Sequence, residues 1–202
     1  MKRILSLALS ALIALCFFGS NMAEAAPSTN SKILVAYFSR VDENYGVGYI
    51  QKGNTHIIAD IIAAKTNANL FEIKKTEPYP ARYEDCKPVA SREKATNARP
   101  ALTATVSNMD DYDVIFLGYP IWYGDAPMPV YTFLESYDFS GKKIIPFCTH
   151  GGSGLSGTEQ RLMLACPNAE ILPGFAISGT TAQNNPQQAE TKVSAWLTRI
   201  GM

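Results

Sequence analysis

The chain has 202 residues, with 18 basic and 18 acidic side chains, so it carries no net charge at neutral pH. That balance excludes the strongly basic face that neutralises a nucleic-acid backbone, and it argues against strong electrostatic docking. The spacing of Cys86, Cys148 and Cys166 fits no zinc pattern, so no metal site is expected.

The first residues read as an address. Lys2 and Arg3 give a basic start, Ile4 to Phe18 is an apolar stretch, and Ala23-Glu-Ala25 supplies a small-x-small cleavage site. The stretch is shorter than a membrane span needs. Residues 1–25 are therefore read as a secretory signal, residues 26–31 as a polar leader and residues 32–202 as one domain. The mature protein is expected outside the cytoplasm, periplasmic or extracellular, with no stable membrane insertion after cleavage. Leu15 is bulky where a lipidation motif ending at Cys16 wants a small residue. Losing Lys2, Arg3 and Glu24 leaves a net charge of about −1. Export permits a disulfide, but an odd count leaves at least one thiol free, and buried apolar filler is the preferred reading.

Lys32 to Ser39 is an apolar first strand ending at a hydroxyl. Arg40 to Gly53 is polar with three glycines and reads as a loop. Gly53-Asn-Thr55 opens a helix in which Ile57, Ile58, Ile61 and Ile62 mark an apolar face and Asn54 or Thr55 serves as cap. Leu70 to Ile73 is the second strand, and a helix is predicted between Tyr83 and Asn97, started or kinked by Pro88. Val114 to Leu117 is the third strand, stopped by Gly118 and Pro120. Helices are expected over Met128–Tyr137, Thr158–Ala165 and Gln187–Ile200. Lys143 to Cys148 is the fourth strand, and a fifth lies within Ile171–Ser178, broken around Pro173-Gly174. Five strands alternating with helices predict an α/β domain with a doubly wound parallel sheet.

Three loops at strand ends carry ligand-like chemistry. Ser39, Gly53, Asn54 and Thr55 form the strand, glycine loop and capped helix that hold a phosphate through hydroxyls and free amides. Arg40 or Lys52 could add a cation there, although each also reads as an exposed charge. Pro120, Trp122, Tyr123 and Gly124 place two large aromatics where a flat π-rich ligand would sit, with nothing apolar around them to make a core. Thr149, His150, Gly151, Gly152, Ser153 and Gly154 form a second glycine-rich loop, whose glycines permit close backbone approach. His150 is the candidate catalytic residue, a proton source or charge partner, set against a plain exposed loop histidine. Tyr45 and Tyr49 read either as a flap over the ligand or as a partner surface.

Tyr119-Pro-Ile-Trp-Tyr-Gly124 after an apolar strand, with Gly53-Asn-Thr55 and the Thr149–Gly154 loop, resembles the flavodoxin-like family over nearly the whole mature chain. The resemblance implies a five-stranded parallel sheet in the order 2-1-3-4-5, whose switch point gathers the three loops around FMN. It implies that Trp122 and Tyr123 flank the isoalloxazine ring, and that Thr149 to Gly154 meet its pyrimidine edge. In that family a peptide at the position of Gly124 changes orientation as the ring is protonated. The stretch from Arg40 to Lys52 departs from the family pattern by opening the compact phosphate loop. Two functions stay open: an FMN-dependent oxidoreductase passing electrons from NAD(P)H to a quinone or other small acceptor, and a carrier docking on a redox partner protein. A binding domain without flavin is a third. Gly46-Val-Gly48 lacks the third glycine of a dinucleotide fingerprint, and Gly152-Ser-Gly154 is too tight for a nucleophile elbow.

Overall fold

The computed structural model describes residues 32–202. The expected signal, polar leader and cleavage site lie outside the described residues.

The main sheet is built from β1 (Ile33–Tyr37), β4 (Asn69–Glu72), β5 (Val114–Pro120), β6 (Lys143–His150), β7 (Glu170–Ile171) and β8 (Phe175–Ser178). All pairings in it are parallel, in the order β4-β1-β5-β6, with β7 and β8 both alongside β6. β7 pairs with Lys143 and Ile144, and β8 with Phe147 to His150. Together they are the expected fifth strand, interrupted at Pro173-Gly174, so the sheet has the 2-1-3-4-5 order of a doubly wound fold. β5 runs on through Gly118 to Pro120 instead of stopping at the glycine. Gly118 lies against the Phe147 ring, where a Cβ would come within 2.2 Å of it. The glycine thus serves close packing between strands, not termination.

Helices cover both faces, because strands buried on two sides need apolar cover on each. On one face α1 (Asn54–Thr66) and α6 (Pro186–Arg199) bury Ile58, Ile62, Val193, Trp196 and Leu197 against Val35, Phe116 and Ile145. On the other, α3 (Met128–Glu135) and α4 (Thr158–Ala165) bury Val130, Phe133 and Leu162 against Leu34, Ile115 and Ile144. Helix α2 (Tyr83–Ala95) packs beside α3 and carries Pro88 inside it, not at its start. A short helix, α5 (Gly179–Asn184), has no counterpart in the sequence reading. Six residues are too few to show a helical period, and only the Ser178 cap signals it, accepting from the Thr181 amide at 3.1 Å.

The stretch expected to be a loop contains an antiparallel hairpin, β2 (Asp42–Asn44) and β3 (Gly48–Ile50). Gly46 and Gly48 take positive φ of 74° and 70° at its turn, a conformation that costs glycine least. Two three-residue strands are too short for alternation to show in sequence. Among the described residues no helix is long and apolar enough to cross a membrane. The three described cysteines are buried and unpaired, as filler would be.

Candidate functional site

The carboxyl ends of β1, β5, β6 and β8 face a cavity of about 450 Å³. That size lies within the range of sites for small cofactors. Its wall includes Asn54 of α1, Pro120 to Tyr123 after β5, and Thr149 to Gly152 at the end of β6.

The first corner is the start of α1. Gly53 is the N-cap residue, so neither Asn54 nor Thr55 caps the helix as expected. The Ser39 hydroxyl, arriving from the end of β1, accepts from the His56 amide at 3.1 Å and does the capping from across the loop. The Ile57 amide is taken by the Gly53 carbonyl at 3.2 Å. Among the described residues no acceptor meets the amides of Asn54 and Thr55. Two free amides at the positive end of a 13-residue helix suit an anion. A Cβ on Gly53 would stand 2.1 Å from Ser39 Oγ, so only glycine lets the two segments meet. Thr55 points its hydroxyl the other way, to Thr149 Oγ1 at 2.9 Å.

Arg40 is buried, against the reading of an exposed charge. The hairpin folds back beside it: the guanidinium donates to the carbonyls of Glu43, Pro80 and Ala81, the last two at 2.6 Å. The Glu43 carboxylate in turn accepts from the Tyr83 amide at 2.8 Å. Arg40 therefore ties the inserted hairpin to the segment entering α2, and its Nε is left buried without a partner. Lys52 is an exposed charge, paired with Asp60.

The second corner is the turn after β5. Trp122 and Asp125 exchange two backbone hydrogen bonds of 2.8 and 3.0 Å around Tyr123 and Gly124, whose φ values are 50° and 74°. Positive φ at both central residues defines a type I′ turn, and glycine at the second position adopts it without a Cβ clash. Trp122 is not without apolar neighbours, as the sequence suggested. Its ring meets Phe38 and Tyr79 edge-on, with centroids 5.5 and 5.1 Å away, and packs on the core while still lining the cavity. Tyr123 is half exposed and anchored by its hydroxyl to the Lys87 carbonyl at 2.9 Å.

The third corner is the end of β6. His150 is half-buried and burial lowers its pKa, which favours the neutral ring. The Gly152 amide donates to His150 Nδ1 at 2.9 Å, so the proton of the neutral ring sits on Nε2. His150 is thus arranged as a neutral hydrogen-bond donor, and a charge-partner role would act against its surroundings. Gly151 lies under the Tyr45 ring, with an added Cβ 3.0 Å from it.

Of the residues singled out by sequence, Asn54, Pro120, Trp122, Tyr123, Thr149, His150, Gly151 and Gly152 line one cavity. Ser39, Gly53, Thr55 and Gly124 do not line it but adjoin residues that do. Ser153 and Gly154 do not line it; Gly154 instead accepts from the Cys148 thiol at 3.4 Å. Tyr45 joins the wall, whereas Tyr49 stands exposed away from it. Sequence reasoning missed Ser178, Gly179 and Thr180, although Ser-Gly-Thr after a strand is a readable signal. It also missed Tyr83, Cys86, Lys87 and Ala90, which only the docking of α2 brings to the cavity.

The free amides fit an anionic end, and the aromatic turn, the glycine loop and Tyr45 fit a flat polar ring. A family model described as flavodoxin matches residues 32–199. Two crystal structures of proposed flavoproteins are similar to this chain. The one from Bacteroides eggerthii is 30% identical, with a TM-score of 0.69, and the match covers 86% of this chain and 99% of that one. The one from Bacteroides uniformis is 31% identical, with a TM-score of 0.66, covering 83% and 98%. A flavoprotein from Lactobacillus acidophilus, solved in complex with FMN, shares the fold at 19% identity and a TM-score of 0.59, covering 78% and 99%. No curated protein matches. With helix amides, aromatic turn and glycine loop gathered at the switch point of a parallel sheet, and with the family matched over residues 32–199, this chain belongs to the flavodoxin family.

Proposed function

We propose that the chain binds FMN in this cavity and is an exported oxidoreductase that moves electrons from NAD(P)H to a quinone or another small acceptor. The observation that carries the cofactor is that Asn54, at a helix start whose first amides are unaccepted, lines one cavity with Trp122 and Tyr123. Family membership supports it, as does the FMN bound by the Lactobacillus acidophilus flavoprotein. When bound, FMN supplies the ability to accept a hydride and release two electrons. The protein's part is to hold the phosphate at α1, cover the ring with Trp122 and Tyr123, and present the Nε2 proton of His150. Overall, NAD(P)H, a proton and a quinone give NAD(P)⁺ and a hydroquinone, so two electrons and two protons are accounted for.

The near-zero charge favours a small acceptor over a docking protein, since carriers gain encounter rate from a one-signed face. The test is uptake of FMN by purified residues 26–202, followed by turnover with NADH or NADPH and a soluble quinone. Stoichiometric uptake with quinone reduction supports the proposal. Uptake with no turnover hands the function to a carrier, and no uptake removes the flavin. Export is checked by N-terminal sequencing of the mature protein, expected to begin at Ala26.

A further inference from the structure

The turn that lines the cavity after β5 has every one of its carbonyls engaged. The Trp122 carbonyl accepts from the Asp125 amide at 3.0 Å. The Tyr123 carbonyl accepts from Lys94 Nζ, and the Gly124 carbonyl from Arg161 Nη1 at 3.1 Å. Lys94 comes from the end of α2 and Arg161 from α4, so the turn is held from two helices on either side of it. Neither side chain lines the cavity. Both cations converge on one buried carboxylate, Asp125, at 3.8 Å from Lys94 and 3.5 Å from Arg161. Asp125 is itself fixed by the Ala126 amide and the Tyr131 hydroxyl, each at 2.8 Å. Arg161 also donates to the Ser156 carbonyl at 3.0 Å, which ties the turn to the segment before α4.

We propose that Lys94 and Arg161 are positioning residues that lock this turn with its carbonyls committed away from the cavity, so that the bound flavin takes and gives electrons in pairs. This rests on the FMN reading above and concerns how that site is tuned. A flavin ring that gains one electron and one solvent proton turns a ring nitrogen from acceptor into donor. The new N–H is stabilised by a nearby carbonyl that can turn to accept it. Here the Tyr123 and Gly124 carbonyls can do so only by giving up charge-assisted bonds, which are roughly twice as strong as neutral ones. The singly reduced stage thus gains little, and the second electron follows the first. That behaviour suits hydride transfer from a nicotinamide and two-electron delivery to a quinone.

The test uses residues 26–202 and the variants Lys94→Met, Arg161→Met and Lys94→Arg, each first titrated with FMN to confirm uptake. Anaerobic reductive titration of the wild type is expected to pass in a single spectral stage. The two methionine variants are expected to accumulate the singly reduced form several-fold more, with Lys94→Arg behaving as wild type. In the flavin-free proteins, exchange of the Asp125 amide is expected to quicken in both methionine variants and not in Lys94→Arg. Accumulation of the singly reduced form in the wild type overturns the inference, as do unchanged titrations in both methionine variants. Should the wild type take up no FMN, the cofactor reading fails by itself. The exchange measurement then still decides whether Lys94 and Arg161 lock the turn, with equal rates in all four proteins overturning it.

Discussion

Thr55 Oγ1 and Thr149 Oγ1 lie 2.9 Å apart and both residues are buried. One hydrogen bond therefore joins the first turn of α1 to the carboxyl end of β6. The two halves of the site are registered to each other by that bond and not only through the sheet.

Replacing either threonine by valine keeps the shape and leaves the other hydroxyl buried without its partner. Each single variant is expected to lose about 1–3 kcal/mol of folding stability. The double variant should lose less than the sum, because no orphan remains. Urea unfolding of the four proteins checks this, and strict additivity would show that the pair does not interact.

Gly53→Ala places a methyl group 2.1 Å from Ser39 Oγ and 2.6 Å from the Arg40 carbonyl. The loop must move away from the helix start, so FMN affinity should fall. Riboflavin, which has no phosphate, should bind the wild type more weakly than FMN does and be less affected by the substitution. Calorimetric titration with both flavins separates the two effects. Equal wild-type affinities would mean that the helix start holds no phosphate.

The two tryptophans should part company. Trp122→Ala removes an aromatic face from the cavity and is expected to weaken FMN binding by about tenfold or more, worth ~1.4 kcal/mol. Trp196 is fully buried, stacked on Phe175 with centroids 5.1 Å apart, and hydrogen-bonded to the Pro173 carbonyl at 3.3 Å. Trp196→Ala should cost about 3–5 kcal/mol of stability with little change in the affinity of the protein that remains folded. Flavin fluorescence quenching and thermal melting read the two outcomes.

Burial lowers the His150 pKa below its ordinary value of 6.5, and the Gly152 amide occupies Nδ1. The unfolded chain therefore takes up a proton at a higher pH than the folded one. Stability from this group is present above the ordinary value, falls as the pH drops through 6.5, and levels off below the folded value. His150→Asn should flatten that part of the pH–stability curve. A curve unchanged between the two proteins would show that His150 is solvated in the folded state.

Much of this protein was legible in its sequence. Unbroken apolar runs such as Val114–Leu117, alternating with the helical spacing of Ile58 and Ile62, determine a parallel sheet covered on both faces. The chemistry at the strand ends, from Ser39 with Gly53-Asn-Thr55 to Trp122-Tyr123-Gly124 and Thr149–Gly152, marks the end of the sheet at which the cavity lies. These signals are local: each is written within a few consecutive residues by periodicity, side-chain type or a glycine. What only the tertiary structure decided depends on residues far apart in the chain. Arg40 reads as a surface charge until the carbonyls of Pro80 and Ala81 surround it. Cys86 and Lys87 reach the cavity only because α2 docks beside α3. Lys94 and Arg161 meet at Asp125 only when α2 and α4 flank the same turn. No spacing rule links such residues, because the free energy that brings them together is that of packing the helices on the sheet, and it is not carried by any single segment.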